Sequence, residues 1–260
     1  MLSIVIPISI SNRKYKRFVI EHSKALKNLK IINQKYSFKK VKNYDGKHSY
    51  DNENFYDNIS TQDYLTYELI NYKKKVLAAI DAARYNKGII DSYNEDIKNE
   101  CKFGSFDTDE LLKSKRKLAR YEKNLFKSET KKPKTSFSIY IELILTKING
   151  RVVRRKYRTF STDEIRSIID RLNNNQDGFY KDEDIWESIC RVERGKVTNK
   201  LRFSIYRRDG WRCCKCRRKT GDLEIDHIVP IAKGGKTTYN NLQTLCRRCN
   251  KEKGTKTIRF

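Results

Sequence analysis

The chain has 260 residues with 58 Lys and Arg against 32 Asp and Glu, a formal net charge of +26 that makes a polyanion the natural partner. That length admits two domains, or one domain with an appended helical region. No apolar run reaches the length of a membrane span, and the seven cysteines form no disulfide framework, so the expected setting is a reducing cytoplasm away from membranes.

Met1 to Ile10 is apolar, lacks a basic lead-in and a small-residue cleavage site, and reads as a strand interrupted by Pro7. The remainder of residues 1–60, with Lys14, Tyr15, Lys16 and Arg17, matches no single pattern and stays unassigned. Ser60-Thr61-Gln62-Asp63 is a helix start, followed by Leu65, Leu69, Tyr72, Val76, Ile80 and Ala83 at helical spacing. A second helical stretch opens near Asp107 to Glu110 with Leu111, Leu118 and Leu125. Residues 61–130 therefore read as an antiparallel helical hairpin turned at Gly104, or as a coiled-coil dimer element.

Thr130 to Thr135 is the best linker, and residues 136–195 form a second module. Phe137 to Ile148 and Arg151 to Phe160 are strand-like around the hairpin signal Asn149-Gly150. Ser161-Thr162-Asp163-Glu164 is a capping box for a helix to about Leu172, and Asp182 to Arg194 makes a further helix. Arg151, Arg154, Arg155, Lys156 and Arg158 on the second strand either lay a ribbon against a DNA backbone or serve as a solvated edge that discourages strand pairing.

From Lys196 to Phe260 eighteen Lys and Arg face five Asp and Glu, so positive charge is densest here. A compositional bias toward Asn, Ile, Lys and Tyr explains lysines elsewhere better than it explains these arginines. Cys213-x-x-Cys216 and Cys246-x-x-Cys249 supply the four thiolates of a closed, structural Zn²⁺ site. Cys214 offers a competing thiol, but the CxxC spacing selects its neighbours. Leu223 to Asp226 alternates apolar and polar side chains and runs into His227-Ile228-Val229-Pro230, a strand ended by its proline. Asp226 and His227 then point to opposite faces unless the chain twists or bulges there. Leu242 to Lys253 is the expected helix, with the second knuckle at its start. The result is a β-β-α unit wrapped on zinc.

These residues, with the lead-in Leu201-Arg202-Phe203-Ser204-Ile205-Tyr206-Arg207-Arg208-Asp209-Gly210-Trp211-Arg212 and the run Asn241-Leu242-Gln243-Thr244-Leu245-Cys246, resemble the HNH endonucleases of the ββα-metal type that carry a four-cysteine zinc knuckle. The resemblance covers about Lys200 to Lys256. It implies that His227 is the general base, that Asp226 and Asn250 hold a catalytic divalent metal, and that Asn241, rather than Asn240, ties the loop and orients the histidine. It also implies cleavage to a 3′-hydroxyl and a 5′-phosphate. Asn250 stands where many relatives have histidine, and an oxygen ligand favours Mg²⁺ or Mn²⁺.

The expected architecture is α+β: a helical hairpin region and a β-hairpin-plus-helix module preceding a C-terminal nuclease domain over 196–260. The expected activity is metal-dependent hydrolysis of DNA, and whether RNA is cut as well is not legible in the sequence. Arg207, Arg208, Lys233, Lys236, Lys251 and Lys253 are expected to grip phosphates, and the N-terminal helices to hold a second copy or a protein partner. Two other readings fit the same residues. One is a non-catalytic zinc ribbon that binds nucleic acid; the other is a nuclease subunit of a restriction or phage-defence assembly, silent until a partner engages it.

Overall fold

In the computed structural model, residues 8–106, 115–147, 149–174, 182–219 and 221–260 are described. They divide into two compact units, one built from the chain up to Lys42 with Leu77–Phe137, the other from Asn43–Val76 with Ser138–Phe260.

The first unit is helical. Helix α1 (Ile8–His22) and helix α2 (Lys24–Lys35) occupy the stretch that the sequence left unassigned, and Ile8 to Ile10, expected as strand, already belong to α1. Residues 1–7 of that expected strand lie outside the described residues, as do Asp107 to Glu110 and Leu111. Ser23 separates the two helices by serving as the N-cap of α2: its hydroxyl accepts from Leu26 N–H at 3.1 Å and donates to buried Glu122 at 2.7 Å.

Strand β1 (Tyr44–Tyr50) and helix α3 (Glu53–Asp57) follow, then helix α4 (Thr61–Glu100), whose residues up to Val76 belong to the second unit and the rest to the first. Its start is as expected, with Ser60 and Asp63 exchanging hydrogen bonds at 2.7 to 3.0 Å. Helix α5 (Lys115–Glu129) packs against α1 and α2, and Ala25, Leu29, Ile32, Tyr93, Cys101 and Phe126 share one core. Helix α2 thus adds a third apolar face to the two helices expected over residues 61–130.

In the second unit, strands β2 (Ile139–Thr146) and β3 (Val152–Phe160) form the expected hairpin, turned at Gly150 with φ +79°. Strand β1 joins it in parallel, giving the order β1-β2-β3. Central β2 is buried along most of its length, which explains its nearly continuous apolar run. Its exception, Glu142, is paired with Lys47 at 3.1 Å and Arg155 at 2.9 Å on the flanking strands.

The basic residues of β3 have internal partners. Arg154 pairs with Glu53 and Asp57, Arg158 pairs with Glu164, and Lys156 donates to the carbonyls of Tyr56, Asp57 and Ile59. Such pairing suits an edge strand and leaves little charge free for a phosphate ribbon. Helix α6 (Thr162–Asn173) has the expected capping box between Ser161 and Glu164, and helix α7 (Glu183–Gly195) is capped by Asp182.

Helix α8 (Asn199–Arg208) leads into strands β4 (Leu223–His227) and β5 (Leu242–Cys246), antiparallel from Leu223 opposite Cys246 to His227 opposite Leu242. Helix α9 (Arg247–Lys253) closes the unit. The expected helix from Leu242 is corrected here: Leu242 to Cys246 are all buried and pair as a strand, so the helix starts at Arg247. No helix among the described residues is long and apolar enough to cross a membrane.

Replacing Leu143, fully buried on the central strand, with Ala is expected to cost about 2–5 kcal/mol in urea unfolding. Ser161→Ala, which removes only the cap, is expected to cost about 1 kcal/mol.

Candidate functional site

The two cysteine knuckles meet as their spacing requires. The Sγ atoms of Cys213, Cys216, Cys246 and Cys249 all lie within 4.8 Å of one another, with Cys216 and Cys246 at 3.9 Å. Sulfurs bound about 2.3 Å from one tetrahedral ion are about 3.8 Å apart, so the set fits a structural zinc and leaves no open position. Cys214 is outside the set; its backbone N–H instead donates to Thr244 O at 2.8 Å. Burial works against ionisation of Cys213, but N–H groups of Cys216, Cys246 and Lys215 hold its thiol at about 7, while burial pushes Cys249 up to about 12. Four thiols this close cannot all ionise without a cation between them.

On β4 the pairing with β5 stays in register through His227, without the bulge that seemed necessary. Even so, Asp226, His227 and Asn250 line one cavity of about 450 Å³, together with Arg194 of α7 and Arg202 of α8. Neither arginine forms an ion pair with a described residue, and both were absent from the phosphate contacts expected from sequence.

The orientation of His227 follows from proton accounting. Its Nε2 lies 2.8 Å from Thr237 Oγ1, and the Thr237 hydroxyl donates its single proton to Glu193 O at 2.7 Å. Thr237 can therefore only accept from the ring, which makes Nε2 the N–H nitrogen and Nδ1 the lone pair. Burial lowers the His227 pKa below the usual histidine range, favouring the neutral ring.

Glu193 anchors this arrangement from outside the β-β-α unit. Its side chain is almost fully buried; Thr237 N–H donates to it at 2.7 Å, the Tyr67 hydroxyl donates to it, and Lys196 approaches at 3.3 Å. Burial opposes the Glu193 charge, yet these contacts outweigh it and keep the carboxyl below its ordinary range. No sequence signal connects Glu193 or Tyr67 to His227, because the contacts join distant segments. Thr237 sits in the loop between β4 and β5, shortly after Gly234 and Gly235, and matches no motif.

Asn241 ties that loop: its side chain accepts from Val229 N–H at 2.9 Å and donates to Val229 O and Lys236 O, while its carbonyl accepts from Ile228 N–H. It has no hydrogen bond to the His227 ring. Gly235 must stay glycine, since a Cβ there would lie 1.8 Å from Val229 O.

Asp226 accepts from Gln243 Nε2 at 3.0 Å and pairs with Lys253 at 3.1 Å. Asn250 Nδ2 donates to Glu224 at 2.7 Å, which leaves its Oδ1 as the available oxygen. Asp226 carboxylate and Asn250 amide oxygen, in one cavity, form a donor set suited to a hard divalent cation.

Of the basic residues expected on phosphate, Arg207, Lys233, Lys236 and Lys251 are exposed. Lys253 is a correction: it is 2 % exposed and spends its ammonium on Asp226 and His227 O, holding α9 against the end of β4. Arg208 is likewise tied to Asp209 and to the carbonyls of Tyr239 and Leu242.

Residues 212–256 match the family model described as HNH endonuclease. No curated protein and no solved structure matches the chain.

Cys246→Ser, or a strong chelator, is expected to release one equivalent of zinc and to abolish the cooperative thermal transition of the C-terminal segment, read by metal analysis and calorimetry. Cys214→Ser is expected to change neither.

Proposed function

We propose that this chain, carrying an HNH endonuclease match over residues 212–256, is a metal-dependent endonuclease that hydrolyses phosphodiester bonds in DNA. The convergence of Asp226, His227 and Asn250 on one cavity, with Nδ1 as the free base of the imidazole, carries this reading.

His227 takes a proton from the attacking water at Nδ1, while Thr237 and Glu193 hold Nε2–H in place. The water oxygen bonds to phosphorus as the P–O bond to the leaving sugar oxygen breaks. Arg194 and Arg202, at the same cavity, neutralise the non-bridging phosphate oxygens. Asp226 and Asn250 would hold a divalent ion, Mg²⁺ or Mn²⁺ by the hardness of these oxygens. Such an ion would supply stabilisation of negative charge on the phosphate and the leaving oxygen. Asn241 and Gly235 act at a distance by fixing the loop that carries Thr237. The surrounding charge of Lys233, Lys236, Lys251 and Arg207 draws in the strand, so binding weakens steeply with salt.

His227→Ala is expected to lower plasmid cleavage in Mg²⁺ or Mn²⁺ by about 10²- to 10⁴-fold while the thermal midpoint and zinc content hold. Undiminished cleavage would remove His227 from the reaction. Thr237→Val strands a buried N–H donor and frees the ring to change tautomer, with an expected loss of about 5- to 100-fold in kcat at unchanged DNA affinity. DNA binding with no cleavage under any divalent metal would leave a zinc-stabilised binding module.

A further inference from the structure

A second cavity, of about 910 Å³, lies on another face of α8, lined by Phe203, Trp211, Lys147, Lys200 and Arg207 among others. From α8 it takes Lys200, Phe203, Ser204 and Arg207, an i, i+3, i+4, i+7 stripe, whereas Arg202 of the same helix lines the His227 cavity. The helix thus separates the two sites by about its own width, roughly 10 Å.

Two aromatic rings in this cavity face water. Phe203 is 64 % exposed and Trp211 45 %, their centroids 5.4 Å apart at 80°. Trp211 is held in the left-handed region at φ +55°, directly after Gly210 at +67°, a conformation unfavourable for so bulky a residue. Its N–H donates to Tyr206 O at 2.9 Å and its ring packs on Tyr206 at 5.3 Å, so its placement is fixed rather than incidental.

The charges around these rings are unspent. Lys147, Lys200 and Arg207 form no ion pair with a described residue, and the one acidic lining group, Asp51, accepts both 2.9 and 3.0 Å bonds from Asn199 N–H at the start of α8. Another large cavity of this unit differs: its Arg158, Arg171 and Arg191 are matched by Glu164, Asp182, Asp184, Asp63 and Glu187. Exposed π-faces beside uncompensated cations are what single-stranded nucleic acid requires, bases stacking on the rings and phosphates meeting the cations.

We infer that this cavity receives an unstacked nucleobase of the DNA strand whose phosphate occupies the His227 cavity, the base resting on Phe203 and Trp211 and its flanking phosphates on Lys147, Lys200 and Arg207. A strand passing round the outside of α8 follows about half the circumference of a ~10 Å cylinder, roughly 16 Å, which is about five nucleotides at ~3.4 Å each. The site therefore selects DNA that is single-stranded, or easily unpaired, beside the cut. This inference rests on the nuclease reading for its substrate, but its test does not require turnover.

The test uses the full chain with His227→Ala, without divalent metal, and fluorescence anisotropy on labelled oligothymidylate and on a duplex of equal length. Phe203→Ala is expected to weaken oligothymidylate binding about 5- to 100-fold and duplex binding less than about 2-fold. Phe203→Tyr, which restores a stacking face, is expected to recover the affinity to within about 2-fold. Arg207→Gln is expected to flatten the salt dependence on oligothymidylate by about 0.7 in the log–log slope. Unchanged oligothymidylate affinity in Phe203→Ala, or an equal loss on duplex and single strand, overturns the inference. Single-strand binding that behaves as expected in a protein that never cleaves DNA would overturn the catalytic reading alone.

Discussion

Four thiols confined within 4.8 Å of one another are the constraint on which the C-terminal segment depends. Each knuckle is a tight turn with little apolar surface of its own. In the first, Arg217 is held at φ +61° and Cys213 N–H donates to Arg218 O. The core around them contains little beyond the cysteines themselves, Leu223 and Leu245. A cation joining the four sulfurs would supply the cohesion that so small a core lacks. Because Cys246 ends β5 and Cys249 lies in α9, the same clamp fixes the strand opposite β4 and the helix bearing Asn250 and Lys253.

A second layer of constraint comes from buried polar groups. Glu193, Lys253, Gln243 and Asp226 are each removed largely from water, and each has partners: Glu193 with Thr237 and Tyr67, Lys253 with Asp226 and His227 O, Gln243 with Asp226, Ile258 O and Phe260 N–H. Burying such groups is tolerable only when they are hydrogen-bonded, and a network so satisfied admits few alternative geometries. The histidine is oriented from two sides, by its strand and by α7 through Thr237. The part of the chain that positions the imidazole is thus larger than the 212–256 segment matching the nuclease family.

The legible parts of the sequence were those whose physics is local. The helix start at Ser60, the capping box at Ser161 and the Asn149-Gly150 turn each depend on neighbours a few residues away, and each was found where expected. The failures have a common cause as well. Leu242 to Cys246 looked like the first turns of a helix, but pairing with β4 on one side and burial along its full length made it a strand. Tyr44 to Tyr50 carries a glycine and three charged or imidazole side chains, and became a strand only because β2 offered a parallel edge. Lys253 reads as a surface cation until Asp226 is seen beside it.

The sequence by itself determined the four zinc ligands, because ligand chemistry and spacing restrict that choice to a few, and the resemblance built on them pointed to Asp226, His227, Asn241 and Asn250. It also determined the excess of positive charge. Only the tertiary structure decided which nitrogen of His227 is free, which cations remain unpaired, and that Phe203 and Trp211 turn outward into a charged cavity. Those outcomes depend on where distant segments meet: Glu193 with Thr237, Asp226 with Lys253, the β2–β3 turn with α8. A hydrogen-bond partner or a lost solvent contact leaves no trace in local pattern, since it is created by packing and not by propensity.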